Sequence, residues 1–537
     1  MENEKCVVIF LPVGVTAVVP RGTLLSDAAA SVNVAIGRHC GGAGVCGKCR
    51  VRTERGKDPL SALNETERKI LSNQDRNDGI RLSCCAAVER DGEVTVIDGV
   101  ESAGHSILEG FSESIAGWAP CAEGYGVSVD IGTTTVVCYL LDLDSRREAG
   151  RISFLNPQVV FGDDVISRIA YASSAAEALE KIRRTLSDEM DEKIGLLAER
   201  EGIEKEKISE ITVAGNTVME HIFAGVSPES IGRSPYRPQF LSLPPFRASE
   251  AGINIAKNGL IKLLPNVAGY VGADIAAGVA ALGIDETEGI KMLVDIGTNN
   301  EIVIGGAKGL YCCATAAGPA FEGARIQYGM RASTGAIDRL FIEEGELRYS
   351  TIGGAKPIGL CGSGLIDAVA LALREGLINS GGRFIKPESC ADPRFRERLG
   401  RNDKGMTQLL LTDGDNPVYL TQKDIREVQL AAGAVKVGIG VMLEEAGISA
   451  DELSEVCLAG AFGNNINMES AAAIGLIPDI DRNKIRSVKN SSGLGASLAL
   501  ASADFYERTK RTAEKMRYIE LSSLPDFQER FVSAMAL

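Results

Sequence analysis

Histidine is nearly missing from this chain: His39, His105 and His221 are the only three in 537 residues, so imidazole-driven acid–base chemistry is a poor expectation. Positive charge is in deficit. The net charge of −15, with no Lys/Arg run interleaved with aromatics, excludes a basic field for phosphate backbones and argues against nucleic acid as a partner. A charged-then-apolar leader is also lacking. Met1 to Lys5 is polar and the apolar stretch after it is broken by Pro12, Gly14 and Pro20, so export is not expected and a cytoplasmic location is. The most apolar stretch, 267–283, is mostly Ala and Gly and contains Asp274; it predicts a close-packed helix, not a membrane span. Aromatics make up only 5%, whereas Gly is abundant at 60 residues. Together with plentiful aliphatics this predicts strand–turn–helix units of α/β class, and the length predicts several of them.

Cysteine is present in an odd number, thirteen. In a chain with no sign of export, metal ligation or burial explains that better than a disulfide framework. Cys40, Cys46 and Cys49 form C-x5-C-x2-C in a glycine-rich loop, and Cys84 follows in Arg81-Leu-Ser-Cys84-Cys85. This approaches the plant-type [2Fe-2S] spacing. Glycines suit such a loop, because it must turn through positive φ and aim N–H groups at sulfides. A zinc ribbon would need a second C-x2-C pair, and the segment has one. Gly42-x4-Gly47-Lys48 nearly spells a phosphate-binding P-loop, but Cys49 stands where Ser or Thr must meet Mg²⁺. Cys85 competes with Cys84 as fourth ligand; the motif position favours Cys84. Around the loop, 6–10 and 16–19 read as a strand hairpin, 24–36 as a short helix with Ser26 or Asp27 near its start, and 94–97 as a closing strand. That order suits a β-grasp ferredoxin fold.

From about 98 to 125 the composition turns small and polar and reads as a linker. Beyond it, Gly126-Val-Ser-Val-Asp130-Ile-Gly132-Thr133-Thr134-Thr135 is a strand running into a tight, hydroxyl-rich turn. The phrase returns at Met292-Leu-Val-Asp295-Ile-Gly297-Thr298-Asn299-Asn300. A D-I-G-T turn repeated at this distance predicts two similar lobes facing each other, each offering backbone N–H groups and hydroxyls to phosphate oxygens. Asp130 and Asp295, each ending an apolar strand, stand where a carboxylate can hold a Mg²⁺ water or orient an attacking water.

At these turns the chain resembles the sugar kinase, Hsp70 and actin ATPase superfamily. The resemblance implies that 272–278 is a connecting helix, that Leu458-Ala-Gly460-Ala461-Phe462-Gly463 is an adenosine loop, and that 490–496 is the closing connection. Gly362-Ser363-Gly364 reads either as a phosphate-facing turn at a helix start or as helix packing. The fusion of a ferredoxin module to this ATPase resembles the reductive activators of corrinoid-dependent methyltransferases and corrinoid iron-sulfur proteins. The resemblance runs through most of the chain, including Ala214-Gly-Asn-Thr217 and Gly318-Pro-Ala-Phe-Glu-Gly323.

The resemblance implies a multidomain α/β chain: a β-grasp [2Fe-2S] domain over 1–98, a linker over 99–124, a middle domain or first part of the actin-like unit over 125–206, and a two-lobed, ribonuclease H-like ATPase fold over 207–537. It implies a [2Fe-2S] cluster on Cys40, Cys46, Cys49 and Cys84, ATP with Mg²⁺ in the cleft, and an electron passed to a Co(II) corrinoid protein to regenerate Co(I). A ferredoxin or flavoprotein would supply the electron, and a homodimer stays open. Some relatives carry extra cysteines for [4Fe-4S] clusters towards the C-terminus; none follows Cys457 here. Driving one electron uphill by a few hundred millivolts costs on the order of 5 to 7 kcal/mol, which explains an attached ATPase. Two other functions stay open on the residues alone: a ferredoxin-fused small-molecule kinase, and a nucleotide-gated electron carrier or sensor without turnover.

Overall fold

The computed structural model describes residues 5–11, 14–32, 34, 36, 49–54, 58–71, 75–76, 78–96, 124–297, 299–318, 320–323, 325–413, 417–460 and 466–537. At the N-terminus, β1 (Lys5–Leu11) points Cys6, Val8 and Phe10 into a small core, as its alternating residues dictate. It pairs antiparallel with β2 (Val15–Pro20). Helix α1 (Leu25–Ser31) follows, then β3 (Arg50–Arg52), α2 (Glu65–Ile70), β4 (Ile80–Leu82) and β5 (Gly92–Val96). The sheet order is β2-β1-β5-β3-β4, with β5 parallel to β1, which is the β-grasp arrangement. The helix expected over 24–36 is shorter. It stops at Ser31 because the β-branched residues that follow are weaker helix formers, and Val34 and Ile36 are buried in the core instead.

A buried ion cluster stiffens this module beside its cysteines. Arg81 donates from Nε and Nη2 to the two oxygens of Glu67, both at 3.0 Å, and from Nη1 to Asp58 at 2.7 Å. Glu67 also accepts the Leu82 N–H at 3.0 Å, so the strand leading to Cys84 is tied from below. Removing one member of such a buried set costs about 3–5 kcal/mol, since the remaining charge is left uncompensated.

The rest of the chain builds two six-stranded sheets of matching design. In the first, β6 (Tyr125–Ile131), β7 (Thr135–Asp142) and β8 (Arg147–Leu155) form an antiparallel meander. After α3 (Val165–Ala172) and α4 (Ala176–Arg200), β9 (Ile208–Gly215) adds parallel to β6, and after α5 (Thr217–Phe223) and β10 (Phe246–Arg247), β11 (Leu260–Leu263) adds parallel to β9. In the second, β12 (Lys291–Ile296), β13 (Asn300–Gly306) and β14 (Gly309–Thr315) repeat the meander. There β21 (Glu455–Ala459) and β22 (Ile485–Ser487) take the places of β9 and β11, and β23 (Met516–Tyr518) lies parallel to β14. The orders 11-9-6-7-8 and 22-21-12-13-14 are the same path drawn twice. The strand pairs on either side of the expected 206/207 boundary share the first sheet. The expected linker, with Trp118, lies outside the described residues except for Gly124.

Between β14 and β21 the second lobe inserts two three-stranded sheets, β15 (Ala336–Glu343) to β17 (Gly359–Leu360) and β18 (Leu399–Arg401) to β20 (Tyr419–Thr421), with helices Gly362–Arg374 and Gln422–Ala446. Two helices then run between the sheets: α6 (Ala273–Ala281), as expected for the connecting helix, and the helix Ser491–Ala501. They cross almost backbone to backbone, since a Cβ on Gly495 would lie 2.3 Å from the Ala277 carbonyl oxygen. Ser128 on β6 and Ser497 share a 2.6 Å hydrogen bond, fastening the second helix to the first sheet. Among the described residues no helix is long and apolar enough to cross a membrane.

Candidate functional site

Both D-I-G-T turns sit at the same corner of their sheets and open onto one cleft. In the first, Asn156 donates from Nδ2 to the Gly132 carbonyl at 2.9 Å and from its backbone N–H to the Thr134 carbonyl at 2.8 Å. Arg168, fully buried, donates from Nη2 to the Thr133 carbonyl at 2.6 Å. Three successive carbonyls are thus held from the lobe side. Because N–H and C=O point opposite ways in a trans peptide, the Thr133 and Thr134 N–H groups point away from those anchors. That is the polarity an anion nest needs.

The second turn is braced from inside. Buried Asn300 accepts the Gly297 N–H on Oδ1 at 3.2 Å, so Asn300 shapes the turn and does not line the cleft. Gly460 closes in on the end of β12 at φ +91°, where a Cβ would stand 2.2 Å from the Ile296 carbonyl oxygen and 2.7 Å from an Asp295 oxygen. Only glycine fits there.

Asp130 is held by the helix Ser491–Ala501: Asn490 Nδ2 donates to it at 2.8 Å and Ser492 Oγ at 2.7 Å. Asn490 Oδ1 in turn accepts the Gly493 N–H at 2.8 Å, capping that helix. The expected cleft residues Asp130, Gly132, Thr133, Thr134, Thr135, Asp295, Gly297, Asn299 and Gly460 are brought together. Thr298, Ala461, Phe462 and Gly463 lie outside the described residues. Gly362 and Ser363, at the start of a thirteen-residue helix, also face the cleft.

Sequence reasoning missed an acidic surplus. Asp274, Glu301 and Glu322 line the cleft beside Asp130 and Asp295, with Arg331 and Lys489 as the facing cations. Glu301 is paired opposite Asp295 across β12 and β13, a position the strand alternation could have revealed. Burial, then the Asp130 charge, pushes the Asp295 carboxyl up to about 7. Burial, then Asp295 and Asp130, does the same to Asp274, and Glu301 is raised well above the usual range by burial and then by Asp274 and Asp295. Burial also raises Asp130, against the opposing hydrogen bonds from Ser492 and Asn490.

Since these folded pKa values exceed the ordinary carboxyl range near ~4, the cleft carboxyls favour the fold most below that pH and progressively less as pH rises through 7. A divalent cation entering with nucleotide favours the ionised forms. Mg·ATP binding at pH 6.5–7 is therefore expected to release protons, read as a binding heat that varies with the ionisation enthalpy of the buffer. Heats independent of the buffer would contradict this. Among the described residues no group of three or more His, Cys, Asp or Glu is placed to hold a metal ion.

In the N-terminal module, the Cys49 and Cys84 sulfurs lie 3.2 Å apart and both residues are buried. This is far longer than an S–S bond and close enough for two thiolates on one metal centre. The hydrogen bond with Cys84 pulls the Cys49 thiol down to about 6. Cys85 is half-buried, with its sulfur 3.6 Å from that of Cys84. The donor set fits an iron-sulfur cluster; Cys40 and Cys46 lie outside the described residues. Cys138, Cys312, Cys313, Cys361, Cys390 and Cys457 are buried, as expected of inert thiols. His221 is also structural: Nδ1 bonds to the Thr217 carbonyl at 2.8 Å, Nε2 accepts the Gln239 N–H at 3.1 Å, and the ring stacks on Phe240.

Residues 9–89 match the model for a 2Fe-2S iron-sulfur cluster binding domain, 125–287 the RACo middle region, and 289–537 the C-terminal, ASKHA domain of RACo. The corrinoid activation enzyme RamQ of Eubacterium limosum is 32% identical, with 96% of each chain covered. This chain belongs to the RACo family of reductive activators. A further relative, the [Co(II) methylated amine-specific corrinoid protein] reductase of Methanosarcina barkeri, is 24% identical over 70% of each chain. The solved structure of a reductive activator for corrinoid, iron-sulfur protein superposes with a TM-score of 0.70 at 32% identity, covering 99% of this chain and 98% of that one. RACo membership accounts for both halves of the molecule: a [2Fe-2S] domain and an ASKHA domain that binds ATP.

Proposed function

We propose that this protein is an ATP-dependent reductive activator that returns the inactive Co(II) corrinoid of a methyl-transfer partner to Co(I). One electron leaves the reduced [2Fe-2S] centre, Co(II) takes it up, and an external ferredoxin or flavoprotein restores the reduced centre. ATP and water become ADP and phosphate in the cleft. The observation that carries the reading is the cleft itself, where duplicated Asp-ended turns face each other in a chain that begins with paired buried cysteines.

Cys40, Cys46, Cys49 and Cys84 are assigned as cluster ligands, with Cys84 preferred to Cys85 because its sulfur faces Cys49 from a buried position. The Thr133–Thr135 and Gly297–Asn299 turns are assigned to phosphate oxygens, with Asn300 bracing the second from behind, 460–463 to adenosine, and Asp130 and Asp295 to orienting water about the terminal phosphate. The two helices crossing between the sheets give the lobes a common joint, through which nucleotide occupancy alters the grip on the corrinoid protein.

The test is to reduce the anaerobically purified protein and record the visible spectrum of a Co(II) corrinoid methyl-carrier with and without ATP. A Co(I) spectrum that forms only with ATP is the expected result. No Co(I) in a sample with a verified two-iron centre, together with a phosphorylated metabolite, would replace the reading with a small-molecule kinase.

A further inference from the structure

An unpaired guanidinium stands in this acidic cleft. Arg331 lines it, half-buried, and among the described residues its guanidinium forms no hydrogen bond or ion pair; only its carbonyl is engaged, accepting from Ser333 Oγ at 3.4 Å. Its electrostatic neighbours are Asp163 and Arg168, the latter bonded to the Thr133 carbonyl of the first turn, and both of these also feel Glu322. Glu322 accepts a hydrogen bond from Thr134 Oγ1 at 3.2 Å, which joins the second lobe to the tip of the first turn. Arg331 therefore stands at the first-turn end of the cleft, while Gly460, which opens the assigned adenosine segment, lies against the end of β12. The backbone just before Arg331 is fixed, since Met330 N–H donates to the Leu360 carbonyl at 2.8 Å, and a Cβ on Gly323 would lie 2.5 Å from Met330 N.

A guanidinium presents five donors in a planar fork suited to phosphate, and a half-buried one without partners is costly to keep empty-handed. The five carboxyl groups lining the cleft repel a polyphosphate to the extent that they are ionised, and a cation facing its terminal end offsets that repulsion alongside Mg²⁺. We propose that Arg331 is a nucleotide-binding residue that pairs with the terminal phosphate and sets the preference for a triphosphate over a diphosphate. Arg168, bound behind the Thr133 carbonyl, shapes the turn, whereas Arg331 faces the ligand. This rests on the ATP reading above and names which side chain senses the γ-phosphate.

The experiment measures Mg²⁺-dependent binding of a non-hydrolysable ATP analogue and of ADP to the full-length, cluster-loaded protein by calorimetry, in wild type, Arg331→Gln and Arg331→Lys. Arg331→Gln is expected to weaken the triphosphate about 10- to 100-fold, in line with loss of one charge-assisted pair, and to leave ADP within about twofold. Arg331→Lys should recover part of the loss. Retained ADP binding also reports an intact cleft. Equal weakening of both nucleotides, or of neither, would overturn the assignment while leaving the ATP reading standing. A wild-type protein that binds neither nucleotide would overturn both.

Discussion

Asp130→Asn is expected to bind nucleotide and yet lose ATP turnover by about 10²- to 10⁴-fold, with ATP-dependent Co(I) formation falling alongside it. The carboxylate accepts from Asn490 on one oxygen and from Ser492 on the other. An amide keeps an acceptor for Asn490, and the Ser492 hydroxyl can turn to accept from its NH2, so what the substitution removes is the charge beside the phosphate turn. Phosphate release is the direct measurement. A rate within twofold of wild type would take Asp130 out of the site. Asp295, on the equivalent strand, is raised to about 7 by burial and by Asp130, so Asp295→Asn would also test whether its role needs the ionised carboxylate.

The second large effect concerns the cluster. Cys84→Ser is expected to yield protein with almost no iron and no visible absorption, whereas Cys85→Ser should keep iron and colour. Cys84 is buried with its sulfur 3.2 Å from Cys49; Cys85 is half-exposed and lies nearest Cys84. A thiolate is the cluster ligand, and a serine hydroxyl at that depth does not replace it readily. Nucleotide binding measured on the same Cys84→Ser sample would show that the two-lobed unit is intact. Equal iron in the two variants would remove the preference for Cys84.

Much of this was legible along the chain because the signals are local. The alternation in 5–11 and 15–20 forces a half-buried hairpin, and the duplicated D-I-G-T phrase marks a strand followed by a tight turn wherever it occurs. The repeat predicted two similar lobes, and the two sheets do follow one path. The helix after β2 was read too long, because apolar spacing continues past Ser31 while the β-branched residues there leave the helix for the core. Asn300 looked like a phosphate contact by its place in the phrase, and its side chain points inward to brace Gly297.

What the sequence determined by itself was chemistry carried by neighbours: four cysteines at cluster spacing, two carboxylates ending apolar strands, and a charge balance hostile to nucleic acid. Only the tertiary structure decided which distant residues complete them. Asn490 and Ser492 reach Asp130, Arg168 reaches Thr133, and Glu322 reaches Thr134, pairings that span up to 362 positions. The reason is physical. A lone turn cannot hold its carbonyls and carboxylate in one orientation against water, and the groups that do so come from wherever close packing of two sheets and two crossing helices places them.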